Sequence, residues 1–126
     1  MLEILIVDDS ELARKRVVNI IATFDIDCKI VGQANDGVEA LEMFKELTPN
    51  LVITDIEMPN MNGVDLLSNI HEIDSNVNII VISSIASEQV RQIVKSSRHT
   101  IFVKKPINNQ LLEAHILKID SLMRKV

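Results

Sequence analysis

The chain is poor in aromatic residues, since its 126 positions hold three Phe and no Trp or Tyr. Hydrophobic residues nevertheless make up 47% of the sequence, so the core must be aliphatic, built mainly from Ile, Leu, Val and Met. A single cysteine, Cys28, excludes an internal disulfide and suits a reducing compartment. Its position in an apolar strand pattern favours a small buried hydrophobe over a reactive thiol.

The chain also lacks an excess of positive charge. Its formal net charge is -5, with no block of basic residues, so we expect no direct contact with nucleic acid. Residues 1–4 lack the basic start and long apolar segment of a signal peptide. No apolar run approaches the roughly 18 residues of a membrane span. We therefore expect a cytoplasmic protein, with residues 1–126 forming a single domain.

Five short apolar runs alternate with five amphipathic stretches of helical length. Short, β-rich runs are typical of strands buried on both faces. The runs are residues 4–7, 30–31, 51–53, 79–82 and 101–103. Helices are predicted to begin after Ser10, after Asp36, near Gly63, after Ser87 and after Asn108. This alternation predicts an α/β fold, with a doubly wound and mostly parallel sheet of five strands flanked by five helices.

Polar side chains follow four of the five predicted strands. They are Asp8 and Asp9 after the first, Asp55 after the third, Ser83 after the fourth, and Lys104 and Lys105 after the fifth. Ligands of open α/β sheets bind beyond the carboxyl ends of the strands, so we expect these side chains to converge. Taken alone, each could be a turn, a helix cap or a surface charge. Such separate explanations do not account for all of these side chains following strands at the same edge of the sheet.

The chemistry of this set favours a phosphoryl group and a metal ion. Grouped carboxylates repel one another, and a hard cation such as Mg²⁺ relieves that repulsion with carboxylate, water and phosphate oxygens as ligands. A carboxylate can attack phosphorus and form an acyl phosphate. A lysine supplies positive charge and a serine hydroxyl donates a hydrogen bond to a phosphoryl oxygen. The set therefore predicts a magnesium-dependent phosphorylation site.

Along its whole length the chain resembles the receiver domains of two-component response regulators. The motifs that carry the resemblance are residues 6–10, 36–41 and 55–67, Ser83-Ser84 and Lys105-Pro106. The resemblance implies a flavodoxin-like sheet with strand order 2-1-3-4-5. It also implies a signalling switch rather than an enzyme with a separate substrate.

The resemblance further implies a role for each site residue. Asp55 is expected to accept the phosphoryl group and to bind the metal. Asp9 is expected to bind Mg²⁺ (or Mn²⁺ in its place) directly, Asp8 through water, and Glu57 through its backbone carbonyl. The expected switch residues are Ser83, a hydroxyl that moves toward the phosphoryl group, and Phe102, an aromatic rotamer switch. Lys105 is expected to pair with the phosphoryl group, and its peptide bond to Pro106 to be cis.

The partners implied by the resemblance are a donor and an output. The donor is a phosphohistidine on a sensor histidine kinase or on a phosphotransfer domain. The output is a downstream effector or a covalently attached output domain, controlled through the fourth helix, fifth strand and fifth helix, where a dimer would also form. Arg14, Lys15 and Arg16 on the first helix are either a solvated face or a docking site for the donor.

Three departures from the common family pattern stand out. The segment that usually carries Gly after the fourth helix reads Ser96-Ser97-Arg98-His99, which predicts a longer, irregular or mobile helix end. Phe102 lacks the hydroxyl of the Tyr found in many members. Glu57 and Ile85, each two residues beyond a site residue, are expected to affect how water attacks the acyl phosphate.

Three competing interpretations remain. A haloacid dehalogenase-type phosphatase also forms an aspartyl phosphate, but residues 8–11 do not match its Asp-x-Asp-x-Thr/Val pattern. A flavodoxin-like cofactor binder would need a Ser/Thr/Gly-rich phosphate loop after the first strand, which the chain lacks. A degenerate receiver acting only as a protein-interaction module is disfavoured by the intact set of site residues.

Overall fold

Strand and helix alternate five times in the computed structural model, as the apolar pattern predicts. The structure describes residues 1–58, 60–84, 88–97 and 99–124, without the side chains of Gln89 and Arg124. The elements are β1 (Leu2–Val7), α1 (Glu11–Ala22), β2 (Cys28–Ala34), α2 (Gly37–Leu47), β3 (Leu51–Asp55), α3 (Gly63–Ile73), β4 (Asn78–Ser83), α4 (Glu88–Ser96), β5 (Thr100–Lys104) and α5 (Asn109–Arg124). No helix within the described ranges is both long and apolar enough to cross a bilayer.

The five strands form one parallel sheet in the order β2-β1-β3-β4-β5. The predicted fold and strand order are therefore confirmed. The order reverses between β1 and β3, where ligands bind in open sheets of this kind. The register pairs Val7 with Thr54 and Ser83 with Lys104, so the carboxyl ends of these strands meet at one edge.

Aliphatic side chains fill both faces of the sheet, as the scarcity of aromatics predicts. One face, with Ile6, Ile53 and Ile82, packs beneath α1 and α5. The other, with Val7, Val52 and Val81, packs beneath α2 and α3. Successive side chains of a strand point to opposite faces. The side chain of Asp55, two residues beyond Ile53, therefore extends on the α1–α5 face.

Local capping signals set the starts of four helices. The side chains of Ser10, Asp36, Asn62 and Asn108 each accept a hydrogen bond from the backbone N–H three residues later. Such caps satisfy amide groups that the helix itself leaves free. The predicted helix starts at these positions are confirmed, whereas the predicted cap at Ser87 lies outside the described residues.

The β2 strand and its cysteine differ in detail from the expectation. The strand extends well beyond the short predicted run, and its pairing with β1 shifts register between Ile4 and Leu5. Cys28 is only half-buried, although it packs against the core beneath α1 and α5. Burial raises the pKa of its thiol, and the charges of Asp27 and Asp120 raise it further, which fits an unreactive packing residue.

A residue other than glycine takes the left-handed position between α4 and β5. The helix ends at Ser96, and His99 adopts φ 61° in the left-handed region. The carbonyl of His99 accepts a hydrogen bond of 2.8 Å from the Ile79 amide, which fixes the entry into β5. Glycine is the usual residue at such a position because it lacks a Cβ.

Candidate functional site

Three carboxylates meet at the carboxyl edge of the sheet. Ligand oxygens of Asp8, Asp9 and Asp55 all lie within 4.8 Å of one another. The pairing of β1 with β3 explains this, because Val7 faces Thr54 and the next residue of each strand is an aspartate. The structure thus brings together the acidic residues that the strand ends predict to converge.

Asp8 is the most buried of the three acids, with 8% of its surface exposed. Its Oδ1 accepts a hydrogen bond of 2.9 Å from the Ser10 amide, and its backbone carbonyl accepts one from Nη1 of Arg14. Burial raises the pKa of Asp8, and the nearby charge of Asp55 adds to the rise against the opposing effects of the Ser10 amide and Lys105. Burial and a neighbouring negative charge both disfavour ionisation of a carboxyl group. A cation bound beside the group would favour its ionised form.

Arg14 is therefore held against the site rather than extended into solvent. Its Nη1 donates to Asp8, while its Nε is buried and has no hydrogen-bond partner among the described residues. Lys15, the next residue, is exposed. Of the three cations considered for partner docking, Lys15 and Arg16 are exposed and Arg14 is half-buried.

The two carboxylate oxygens of Asp55 have different partners. Oδ1 accepts a hydrogen bond of 2.7 Å from the Ile56 amide and a longer one of 3.4 Å from the Glu57 amide. Oδ2 faces Nζ of Lys105 at 3.2 Å. The side chain of Asp55 is 11% exposed and that of Lys105 34%. Backbone amides thus hold one oxygen of Asp55, while the other lies beside the ammonium of Lys105.

The two lysines that follow Val103 are placed differently. Lys104 ends β5, pairs with Ser83 in the sheet and is exposed. Lys105 turns toward Asp55, and its amide donates to the Ser83 carbonyl at 2.9 Å. The peptide bond between Lys105 and Pro106 is cis, as the resemblance implies. Of the two lysines, Lys105 therefore faces Asp55, and Lys104 is an exposed charge on the neighbouring position.

The two serines at the end of β4 lie on opposite sides of the sheet. Ser83 is buried, with 1% exposure, and alternation places it on the α2–α3 face. Ser84 is exposed and lines the same cavity as Asp8, Asp55 and Lys105. The sequence alone predicts no role for Ser84. The two-residue period that runs from Ile82 to Ser84 is the signal that could have identified it.

Three candidates remain, namely Phe102, Glu57 and Ile85. Phe102 is half-buried on the α2–α3 face, where its strand neighbour is Val81, so it lies on the same side of the sheet as Ser83. The side chain of Glu57 is exposed. Ile85, expected to affect the access of water, lies outside the described residues.

The loop from Asp55 to α3 is closed by a glycine. The Gly63 amide donates to the Ile56 carbonyl at 2.8 Å. A Cβ at Gly63 would lie 2.5 Å from the Asp55 carbonyl oxygen and 2.7 Å from Cα of Ile56. The start of α3 thus packs directly on the backbone that carries the Asp55 carboxylate.

A cavity of ≈ 780 Å³ opens at the acidic residues and runs beneath α1. Its polar lining includes Asp8, Asp55, Ser84 and Lys105. Its apolar lining includes Ile6, Val17, Ile20, Ile53, Ile82 and Ile107. Apolar walls lower the local dielectric, so charges at the mouth of the cavity interact more strongly than they would in water.

The donor set fits a hard divalent cation. All three acids offer oxygen, and no histidine or cysteine joins them in the described cluster. Oxygen ligands suit Mg²⁺ and Mn²⁺ rather than the softer metals that prefer nitrogen or sulfur. Lys105 lies beside these carboxylates. An anionic group bound there would contact both the divalent cation and the Lys105 ammonium.

Comparison with known proteins gives one family. The family model described as "Response regulator receiver domain" matches residues 4–117. The chain is 37% identical to the chemotaxis protein CheY of Thermotoga maritima over 112 residues, covering 88% of this chain and 92% of that protein. It is 42% identical over 88 residues to a protein-glutamate methylesterase/protein-glutamine glutaminase of Methanospirillum hungatei, where the match covers 70% of this chain and 25% of that protein.

Solved structures give the same result. The chain matches a structure described as the CheX-CheY-BeF3-Mg+2 complex from Borrelia burgdorferi with a TM-score of 0.83 and 31% identity, over 94% of this chain and 88% of that one. It matches the response regulator domain of Thermotoga maritima CheB with a TM-score of 0.79 and 30% identity, over 100% of this chain and 98% of that one.

Proposed function

Because the chain belongs to the response regulator receiver domain family, whose members act in phosphorelay signalling, we propose that it works by accepting a phosphoryl group on Asp55. The observation that carries the proposal is the set of charged groups that lie close to the Asp55 carboxylate. Asp55 lies within reach of two further acids and of the Lys105 ammonium, at the switch point of the sheet. The degenerate receiver does not account for this intact arrangement.

Asp55 is suited to act as the nucleophile. The Ile56 and Glu57 amides hold Oδ1, so Oδ2 is the oxygen that forms the bond to phosphorus. That oxygen must first leave Nζ of Lys105, which then pairs with an oxygen of the bound phosphoryl group. The phosphoryl group leaves its donor as the new P–O bond forms, and the donor imidazole keeps the bonding electron pair.

We propose that Mg²⁺, for which Mn²⁺ could substitute, is held by Asp9 and Asp55 directly, by the Glu57 carbonyl, and by Asp8 through water. When bound, the ion offsets the negative charge that gathers on the transferred oxygens. Asp8 contributes chiefly charge, because its carboxylate is buried and already accepts the Ser10 amide. Arg14 keeps the turn between β1 and α1 in place through the Asp8 carbonyl.

The response to phosphorylation is proposed to travel through Ser83 and Phe102. These residues lie on the same side of the sheet and on adjacent strands. Movement of the Ser83 hydroxyl toward the phosphoryl group would leave room for Phe102 to turn inward. The surface of α4, β5 and α5 would then change the population of its conformations and the output it controls.

The wider setting is proposed from the family. The donor is a phosphohistidine on a sensor histidine kinase or a phosphotransfer domain, and the output is a separate effector or an attached domain. A dimer would use α4, β5 and α5. We propose further that residues 1–126 form one receiver domain, acting in the cytoplasm without nucleic acid contact. The relatives support either kind of output. The match covers 92% of the Thermotoga maritima CheY but only 25% of the Methanospirillum hungatei methylesterase.

A small phosphodonor gives a direct test. The protein is incubated with acetyl phosphate and Mg²⁺, and the intact mass is measured with and without a chelator. We expect one phosphoryl group per chain in the wild type, none in Asp55→Asn, and none without divalent metal. The control Asp25→Asn removes an exposed carboxylate and should leave labelling unchanged. Labelling that persists in Asp55→Asn would contradict the acceptor assignment, and an unlabelled wild type would favour the interaction module.

A further inference from the structure

We propose that Asp36, at the start of α2, is a positioning residue for the metal site, and that it acts through Asn60 on the loop carrying the Glu57 carbonyl. The inference rests on the proposed function, because it assigns a task to that carbonyl. It adds a residue from a different strand-to-helix turn, remote from the acidic cluster in sequence. We call the contact between Asp36 and Asn60 the α2–loop clamp.

The carboxylate of Asp36 joins two parts of the chain. Its Oδ1 accepts a hydrogen bond of 2.8 Å from the Glu39 amide, which caps α2. Its Oδ2 accepts one of 3.1 Å from Nδ2 of Asn60. The pKa of Asp36 is lowered, first by the Glu39 amide and then by the Asn60 amide, so the acceptor is ionised at neutral pH.

The loop backbone is shaped to meet α2. Asn60 adopts φ 70°, a left-handed conformation that Asn tolerates better than most residues. Beside it, the first turn of α2 approaches without a side chain, since a Cβ at Gly37 would lie 2.5 Å from the Met61 carbonyl oxygen. The tip of the loop is thus held both by a side-chain bond and by close backbone packing.

The base of the same loop is held separately. The Gly63 amide donates to the Ile56 carbonyl at 2.8 Å. The amide of the same residue, Ile56, holds the Asp55 carboxylate. Glu57 lies between this closure and the clamp at Asn60. Anchors on both sides of Glu57 limit the directions that its carbonyl can take, whereas release of Asn60 would let the carbonyl change direction. The clamp thereby prearranges one metal ligand.

The expected effect is modest because the Asp36–Asn60 bond is exposed. A net contribution in the ordinary range for such a bond corresponds to about a threefold weakening of Mg²⁺ affinity. The chain has no Trp or Tyr to report binding by fluorescence, so isothermal titration calorimetry with MgCl₂ is the suitable measurement.

Two variants break the clamp from opposite sides. Asp36→Ser keeps a side-chain cap for α2 but lacks the second oxygen. Asn60→Gly keeps the left-handed backbone but lacks the amide. The double variant tests whether both act through one bond. Asn76→Gly, an exposed asparagine on the turn between α3 and β4, controls for the general cost of introducing glycine.

We expect each single variant to weaken Mg²⁺ binding about threefold and the double variant to do no more. Asn76→Gly should bind as the wild type does, and thermal unfolding should remain cooperative in all variants. Unchanged affinity in Asp36→Ser and Asn60→Gly would overturn the inference, as would strictly additive losses in the double variant. A wild type that binds no Mg²⁺ would instead overturn the proposed function itself.

Discussion

Nζ of Lys105 lies 3.2 Å from Oδ2 of Asp55, although 50 residues separate the two in sequence. The pairing of β3 with β4 and of β4 with β5 brings them together. Lys105 therefore contacts Oδ2, the oxygen of Asp55 that is proposed to form the bond to phosphorus. A cation that binds Asp55 has to compete with this ammonium or share the carboxylate with it.

Removal of the lysine should therefore strengthen metal binding. In Lys105→Ala the site keeps its three carboxylates and loses the nearest positive charge. We expect Mg²⁺ affinity to rise about fivefold, which corresponds to about 1 kcal/mol for a pair partly screened by solvent. Calorimetric titration in low salt would measure the change.

The neighbouring lysine provides a matched control. Lys104→Ala removes the same charge from an exposed position that does not face Asp55. It should alter Mg²⁺ affinity far less than Lys105→Ala does. Equal effects of the two variants would mean that general charge, rather than the Asp55–Lys105 pair, sets the affinity.

Asp8 should make the metal-free protein less stable at neutral pH than a neutral residue would. Its pKa is raised in the folded state, mainly by burial and also by Asp55. Between the ordinary pKa of 3.8 and the raised one, the folded state binds more protons than the unfolded state. The contribution of Asp8 to stability therefore falls as the pH rises through this window, and its deficit persists above the folded-state pKa.

Thermal unfolding of Asp8→Asn without divalent metal tests this sign. The variant should melt at a higher temperature than the wild type at pH 7, and the difference should shrink as the pH falls through the folded-state pKa toward 3.8. Addition of Mg²⁺ should narrow the difference at pH 7, because the ion stabilises the ionised wild-type site. A lower melting temperature for metal-free Asp8→Asn at pH 7 would contradict the assignment.

The features that the sequence predicts well are those with local causes. The starts of α1, α2, α3 and α5 follow from cap residues, and Asp8, Asp9, Asp55 and Lys105 follow from the ends of apolar runs. The strand order came from the family resemblance, since apolar periodicity carries no record of which strands pair. The register shift in β2 depends on packing across the sheet and leaves no mark in a single sequence.

Other parts of the site escaped prediction for similar reasons. The sequence indicates Ser83 because it ends an apolar run, whereas which serine of the pair is exposed depends on the face to which β4 turns each residue. The bond between Asp36 and Asn60 joins two loops 24 residues apart. Asp36 is predicted only as a helix cap and Asn60 is a common turn residue, so the sequence does not indicate a bond between them.

Gly63 should be intolerant of a methyl group. Its Cβ would lie 2.5 Å from the Asp55 carbonyl oxygen, so in Gly63→Ala the backbone around Asp55 must shift. We expect a loss of about 2 kcal/mol in the free energy of unfolding, together with slower phosphorylation from acetyl phosphate. Urea denaturation and intact-mass kinetics would measure the two effects.

Gly32 supplies the comparison for this substitution. A Cβ there would meet Cδ1 of Leu47 at 2.9 Å, and the end of a leucine side chain can move aside. Gly32→Ala should cost less than about 1 kcal/mol and leave phosphorylation unchanged. If Gly63→Ala proved as mild as Gly32→Ala, close packing of α3 on Asp55 would not be a constraint on the site.

Glycine should stabilise the protein at two positions where the backbone is left-handed. Thr48, the C-cap of α2, has φ 45°, and His99, before β5, has φ 61°. An L-residue in this region costs about 1–2 kcal/mol, whereas glycine loses about 0.5–1 kcal/mol through the entropy of the unfolded chain. His99→Gly should therefore raise the free energy of unfolding by about 0.5 kcal/mol. Thr48→Gly should raise it by about 1 kcal/mol, because β-branched residues tolerate this region least.

The C-cap of α3 provides the negative control. Asp74 has an extended backbone with φ -145°, and its Oδ1 accepts a hydrogen bond of 2.9 Å from the Asn76 amide. Asp74→Gly relieves no left-handed strain and loses this bond, so it should destabilise the protein by about 1 kcal/mol. Urea denaturation of the three variants separates the explanations. Stabilisation by all three would point to a general effect of glycine, whereas opposite signs at Thr48 and Asp74 would tie the gain to backbone conformation.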